Sequence, residues 1–159
     1  MVEIVYKKFK PVVELAYGEN ESVIYMTLDT GSPITVLDVF HISKLMRVSV
    51  NKVKQYITFH MNQYHYCDMI SYTGHNFKCI LCRMDNVILG GELIREFYFY
   101  LDTDMKEKRT ALLGMDFISL CDGIIKAGNG IQLNQIYNQN ARRELNYLQI
   151  NTIDFQNIE

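Results

Sequence analysis

The sequence predicts a mainly β protein with one or two short helices. Three observations carry this: short β-rich runs recur along most of the chain, turn-forming clusters separate them, and only residues 42–61 switch to three- and four-residue apolar spacing. At 159 residues the chain holds one domain, against a usual ~100 to 200 residues per domain. Two full lobes do not fit.

Residues 11–17 (PVVELAY) and 23–28 (VIYMTL) flank Gly18-Glu19-Asn20-Glu21, a turn-forming cluster, and read as a hairpin. The second run leads straight into Asp29-Thr30-Gly31-Ser32-Pro33, where Gly and Pro stop regular pairing before the apolar residues 34–37 resume it. Asp29 is thereby placed on a tight loop between strands. In residues 42–61, Leu45, Val48, Val53, Tyr56, Ile57 and Met61 recur at helical intervals, with Ser49 as an N-cap. Residues 67–71, 77–83, 87–89 and 97–101 read as successive hairpin strands, separated by Thr73-Gly74-His75-Asn76 and Gly90-Gly91. After a polar loop at 102–109, residues 111–118 (ALLGMDFI) form an apolar strand broken by Gly that continues as a short helix, and a last hairpin turns at Gly128-Asn129-Gly130. The domain is assigned to residues 1–135, and residues 136–159, Asn- and Gln-rich and poorly specified by pattern, are a C-terminal tail available for interface strands.

Composition narrows the function classes. Hydrophobic residues at 48% and charged residues at 21% exclude a disordered or collagen-like chain. A net charge of -2 gives no excess of cations for a nucleic-acid backbone or an anionic membrane, so neither is expected as a partner. No apolar stretch approaches the roughly 18 residues of a membrane span, and Glu3, Lys7, Lys8 and Lys10 stand where a signal peptide is apolar. The expectation is a soluble, cytoplasmic protein whose Cys67, Cys79, Cys82 and Cys121 are free thiols.

The run LDTGSPITVL at residues 28–37 resembles the active-site loop of aspartic proteases. The run ALLGMDFI at residues 111–118 resembles the hydrophobic-hydrophobic-Gly segment and short helix that pack behind that loop in the single-domain, retropepsin-like members. The two motifs together, in this order and at this separation, are more specific than Asp-Thr-Gly alone, and the resemblance covers roughly residues 10–135. It implies a closed β-barrel of the acid-protease fold, an aspartic endopeptidase acting on peptide or protein substrates, Asp29 as the catalytic residue, and no cofactor or metal. It also implies that Thr30 points its hydroxyl across to a partner loop, that Leu113 and Gly114 pack behind the catalytic loop, and that Tyr72, Thr73 and Gly74 belong to a β-hairpin flap over the substrate. His75 is bulkier than the residue usual at such a tip.

The letters have physical reasons. Peptide hydrolysis needs a base toward water and an acid toward the carbonyl, and one carboxylate cannot be both at once. Two facing carboxyls a few ångströms apart cannot both ionise, so the pair holds one proton and supplies both functions; aspartic proteases are a standing example of this effect. Gly31 lets main-chain N–H groups approach the carboxylate with no Cβ in the way, and Ser32 offers a further hydrogen bond to its outer oxygen. The one other candidate loop, Asp102-Thr103-Asp104, carries Asp where Gly is required and begins 73 residues after Asp29 (102 minus 29), less than a lobe. The second Asp29 must then come from a second copy of the chain across a two-fold axis, making the enzyme a homodimer.

Two other readings stand beside this one. His65 and Cys67 with Cys79 and Cys82 have spacings that zinc permits, which would make a metal-stabilised binding module, although residues 77–82 lack a knuckle Gly or Pro. A retropepsin-like dimerisation or peptide-binding module with a silent groove is the other. Asp116 and Asp122 read as helix-capping and solvated loop charges, and His41, His60 and His75 as surface or packed residues.

Overall fold

Among the described residues, strands that the sequence leaves as separate hairpins hydrogen-bond into one continuous sheet that closes on itself. The computed structural model describes residues 2–18, 21–60, 66–70, 76–103, 109–119, 131–133, 153–155 and 158. In chain order these form β1 (Val2–Lys7), β2 (Lys10–Tyr17), β3 (Val23–Leu28), β4 (Val36–Asp38), α1 (Val39–Met46), α2 (Val50–His60), β5 (Tyr66–Ile70), β6 (Asn76–Leu89) and β7 (Glu92–Asp102). The order continues with β8 (Leu112–Leu113), α3 (Met115–Ile118), β9 (Ile131–Leu133) and β10 (Ile153–Asp154).

The path β6-β7-β4-β8-β3-β2 returns to β6 through the pairs Leu15↔Leu89, Ala16↔Ile88 and Tyr17↔Val87, which closes a barrel. Closure leaves few bare sheet edges. The fold is the mainly β barrel with short helices that the sequence predicts.

The β2–β3 hairpin forms where expected, in the register Val12↔Thr27 to Ala16↔Val23. β1 is an addition, since Val2 and Ile4 alternate with exposed Glu3 and Val5 and put their side chains in the core. The runs at 77–83 and 87–89 are one strand, because Asn86 takes a left-handed φ of +58° and the register with β7 continues through it, from Asp85↔Glu96 to Val87↔Ile94. Asn tolerates that conformation, so a polar interruption does not end the strand. One edge of β6 pairs with β7 and the other is shared by β5, β10 and β2.

The helical segment divides at Arg47, whose left-handed backbone ends α1. Ser49 caps α2 as expected, accepting a hydrogen bond from the Lys52 N–H at 3.2 Å. Asp38 caps α1: its Oδ1 accepts from His41 N at 2.9 Å, while its own N–H donates to His41 Nδ1 at 3.0 Å. Because that nitrogen is accepting, its 3.1 Å approach to Asp38 Oδ1 is read as part of the cap and not as an ion pair.

Phe97, Phe99 and Phe117 form the aromatic centre of the core, with ring centroids 6.0 and 6.1 Å apart along the chain of contacts. Phe155, fully buried, joins it between Tyr56 at 5.6 Å and Phe99 at 6.4 Å. β10, just before Phe155, pairs with β6 of its own chain, so the last residues contribute to this sheet and core. The predicted turn at Gly128-Asn129-Gly130 and most of residues 134–159 lie outside the described residues. No described helix is long and apolar enough to cross a membrane.

Candidate active site

β3 delivers Asp29 to the end of the barrel beside β8. The two run parallel, Thr27↔Leu112 and Leu28↔Leu113, and Asp29 N–H donates to Leu113 O at 3.0 Å. Leu113 thus lies directly beside the start of the loop. The loop then turns tightly, Ser32 N–H reaching back to Asp29 O at 3.2 Å. Gly31 N–H donates to Asp29 Oδ1 at 2.9 Å, and a Cβ on Gly31 would lie 3.2 Å from that oxygen. The carboxylate is thus oriented by main chain at a position where a larger residue would crowd it. Asp29 is half-buried, with Thr30 and Gly31 exposed at the tip.

Ser32 departs from expectation. Its hydroxyl donates to Ile34 O at 2.7 Å, so its single proton is used inside the loop and not on the outer oxygen of Asp29.

The backbone of α3 is clamped to the loop by Met115 N–H to Ser32 O at 2.8 Å and Asp116 N–H to Pro33 O at 3.1 Å. Gly114 is required by this approach: any Cβ there would collide with the Ile34 carbonyl and lie 2.8 Å from Ser32 O. Asp116, read from sequence as a helix-capping or solvated loop charge, bonds within the first turn of α3 and also braces the loop. Its Oδ2 accepts from Thr35 N at 3.1 Å, and its Oδ1 from Thr35 Oγ1 at 2.6 Å and Phe117 N at 2.8 Å. Thr35, fully buried, in turn accepts from Gly114 N at 3.1 Å. The signal for this was present in sequence only as a Thr and an Asp in the two motif runs, 81 residues apart, with nothing to pair them.

Asp102, the rejected rival, is 1% exposed in the sheet, opposite Asp38 in the parallel β4–β7 register, with Arg109 Nε 3.1 Å from its Oδ2. That approach is an ion pair without a well-directed hydrogen bond from Nε. Arg109 N–H also donates to Asp38 Oδ2 at 2.7 Å. The carboxylates of Asp38 and Asp102 therefore hold the segment entering β8 in place. A cavity of about 400 Å³ between α1 and β3, lined by Tyr25, Phe40, His41, Lys44 and Arg109, includes none of residues 29–32 or 113–114.

β5 and β6 pair as far as Ile70↔Asn76, so residues 71–75 connect two antiparallel strands. The flap residues Tyr72, Thr73 and Gly74 lie outside the described residues, as do His65, His75, Cys121 and Asp122. Cys79 and Cys82 are free and fully buried in β6. Burial, then the neighbouring Cys79, pushes the Cys82 thiol well above its ordinary range, with a main-chain hydrogen bond at Leu101 opposing. It is therefore a neutral packing group near neutral pH and a poor nucleophile or ligand. Among the described residues no three His, Cys, Asp or Glu side chains converge as a metal site would need.

No protein-family model and no curated protein matches the chain at the level of sequence. Among solved structures, a crystal structure of a retropepsin-like aspartic protease from Rickettsia conorii matches with a TM-score of 0.53 at 13% identity, over 82% of this chain and 95% of that one. What the chain shares with that protein is the retropepsin-like fold.

Proposed function

We propose that the protein is an aspartic endopeptidase whose active site is completed by two copies of the chain. The observation that carries this is the Asp29 carboxylate, held by the Gly31 N–H on a loop braced from behind by Leu113, Gly114 and Asp116. A rigid loop that presents a main-chain-oriented carboxylate is suited to proton transfer at a fixed point. The retropepsin-like fold supports the same reading.

One chain supplies one such carboxylate, and Asp102 is spent on Arg109, so a facing Asp29 from a second chain supplies the other. With one proton shared between them, the ionised member takes a proton from water, whose oxygen attacks the peptide carbonyl carbon. The protonated member gives its proton to the carbonyl oxygen. Transfer of a proton to the nitrogen then releases the amine as the C–N bond breaks. Thr30, exposed at the tip, is the residue that would meet its counterpart across the axis, and the β5–β6 hairpin, with Tyr72, Thr73 and Gly74 in its connection, would close over an extended peptide.

The test is Asp29→Asn, nearly isosteric but unable to act as a base. Peptide-library cleavage should be lost while the circular dichroism spectrum and sedimentation stay as in wild type. Activity remaining within about tenfold of wild type, roughly 1.4 kcal/mol of barrier, would remove Asp29 from the chemistry. Wild type that cuts nothing but binds peptides would assign the groove to recognition without catalysis.

A further inference from the structure

The β1–β2 connection is a two-residue turn, Lys8-Phe9, closed by the pair Lys7↔Lys10. Both residues have left-handed backbones, with φ of 49° and 65°. Asn and Gly take up such turns readily, and large side chains rarely do. Among the described residues nothing gives a packing reason for Phe at this site, because Phe9 is 99% exposed, with Tyr6 beside it at 47%. An exposed ring on a strained turn is a pattern found where function and not stability chooses the residue.

Position and charge say what that function is. The β2–β3 register, Val12↔Thr27, carried two residues further sets Lys10 level with Asp29. β2 neighbours β3 and β1 lies beyond it, so the turn joining them stands at the catalytic end of the sheet, roughly 5 to 10 Å to the side at about 4.8 Å per strand. Lys7, Lys8 and Lys10 are all exposed there, with Lys7 Nζ lying 3.2 Å over the Tyr25 ring. The nearest carboxylates on these two strands, Glu3 and Glu14, are four positions back along them. A cationic tip bearing one bare aromatic ring complements a segment that carries carboxylates next to an apolar side chain.

Resting on the peptidase reading, we infer that the Lys8-Phe9 turn is a recognition lip that selects peptide substrates with acidic residues flanking an apolar one. For a peptide lying across these strands, roughly 5 to 10 Å at about 3.3 Å per residue places the acidic positions roughly two to three residues from the cleaved bond. Two copies of the chain would carry one lip on each side of the cut.

The test uses the full chain and two fluorescein-labelled synthetic peptides, identical except for Glu or Lys three residues either side of a central Phe-Leu bond. Both kcat/KM and binding anisotropy are read. Exposed charge pairs each contribute a modest factor, so wild type should prefer the Glu peptide by about tenfold, and the preference should fade near 1 M salt, where the Debye length is about 3 Å. Lys8→Glu with Lys10→Glu should invert the order. Phe9→Asn, better suited to the turn, should keep or raise the melting temperature while binding both peptides severalfold less well, a combination that a purely structural role for Phe9 does not give. If neither peptide is cut but the anisotropy preference appears and inverts, the lip stands and the peptidase reading falls. Equal handling of both peptides, or a preference that survives charge reversal, overturns the proposal. So does binding to phosphatidylserine vesicles without discrimination between the peptides, which would assign the tip to a membrane surface.

Discussion

Asp116 ties the Asp29 loop to the helix behind it through three accepted hydrogen bonds, two of them from the fully buried Thr35. Asp116→Ala leaves both Thr35 donors unpaired in the interior, where each orphaned group costs about 1–3 kcal/mol. Urea denaturation should show a loss of about 2–6 kcal/mol on that basis, with Asp116→Asn recovering part of it because the amide keeps one acceptor oxygen. On the proposed reading, cleavage should fall further than stability does, since the same bonds fix the backbone that leads from Asp29. A second residue-scale effect follows from Cys82, whose thiol is pushed up chiefly by burial. An unfolded Cys ionises near about pH 8.5 while the folded one stays protonated, so the unfolded state loses its proton first and stability falls as pH rises past that point. The contribution is fully present below about pH 8.5. Denaturation midpoints followed into alkali should decline less steeply for Cys82→Val than for wild type; parallel curves would show that the thiol is not held neutral.

At the level of elements, β8 and α3 decide whether the Asp29 loop has a floor. Gly114→Ala must push main chain apart, because the new Cβ meets the carbonyls of Ile34 and Ser32 and not a side chain that can swing away. It should cost about 3 kcal/mol or more, at the upper end for overpacking, and its melting temperature should show it. Gly31→Ala meets only the Asp29 side chain at 3.2 Å, so it should keep most of the stability and lose activity instead. What was legible in sequence follows the same division. The β2–β3 hairpin, the Ser49 cap and the strand-Gly-helix at 111–118 are local patterns, set by alternation, turn chemistry and capping within a few residues. Asp29, Gly31, Leu113 and Gly114 are brought together because each of the two motifs carries half of the packing contact. The Asp116–Thr35 brace and the pairing of β10 with β6 are contacts between distant segments, where a lone Asp or an Ile-Asp in a polar tail has no local signature. The division of β6 into two runs fails for a different reason: Asn86 looks like a turn residue and is one in its backbone angle, yet the ladder to β7 holds on both sides of it. Ser32 shows a limit of motif reasoning, since its hydroxyl donates to the Ile34 carbonyl two residues on.

For the whole molecule, the barrel of described residues closes through the β2–β6 pairing and leaves the Asp29 loop at one end with Thr30 and Gly31 exposed. On the proposed reading this surface loop carries half of an acid-base pair, and a two-fold axis through the loop would place two such halves face to face. If that is how the site is made, activity is a property of the dimer and follows mass action. Thr30→Val should weaken the association, because it would unpair a buried hydroxyl contact on both sides of the axis at about 1–3 kcal/mol each, enough to raise the dissociation constant more than tenfold. The most direct test is specific activity toward one cleaved peptide over a dilution series, with sedimentation velocity on the same samples at mildly acidic pH. The two-chain site predicts that activity per chain tracks the fraction of dimer and vanishes with it, the separated monomer being inactive and not half active. Full activity per chain at concentrations where the protein sediments as a monomer would contradict it.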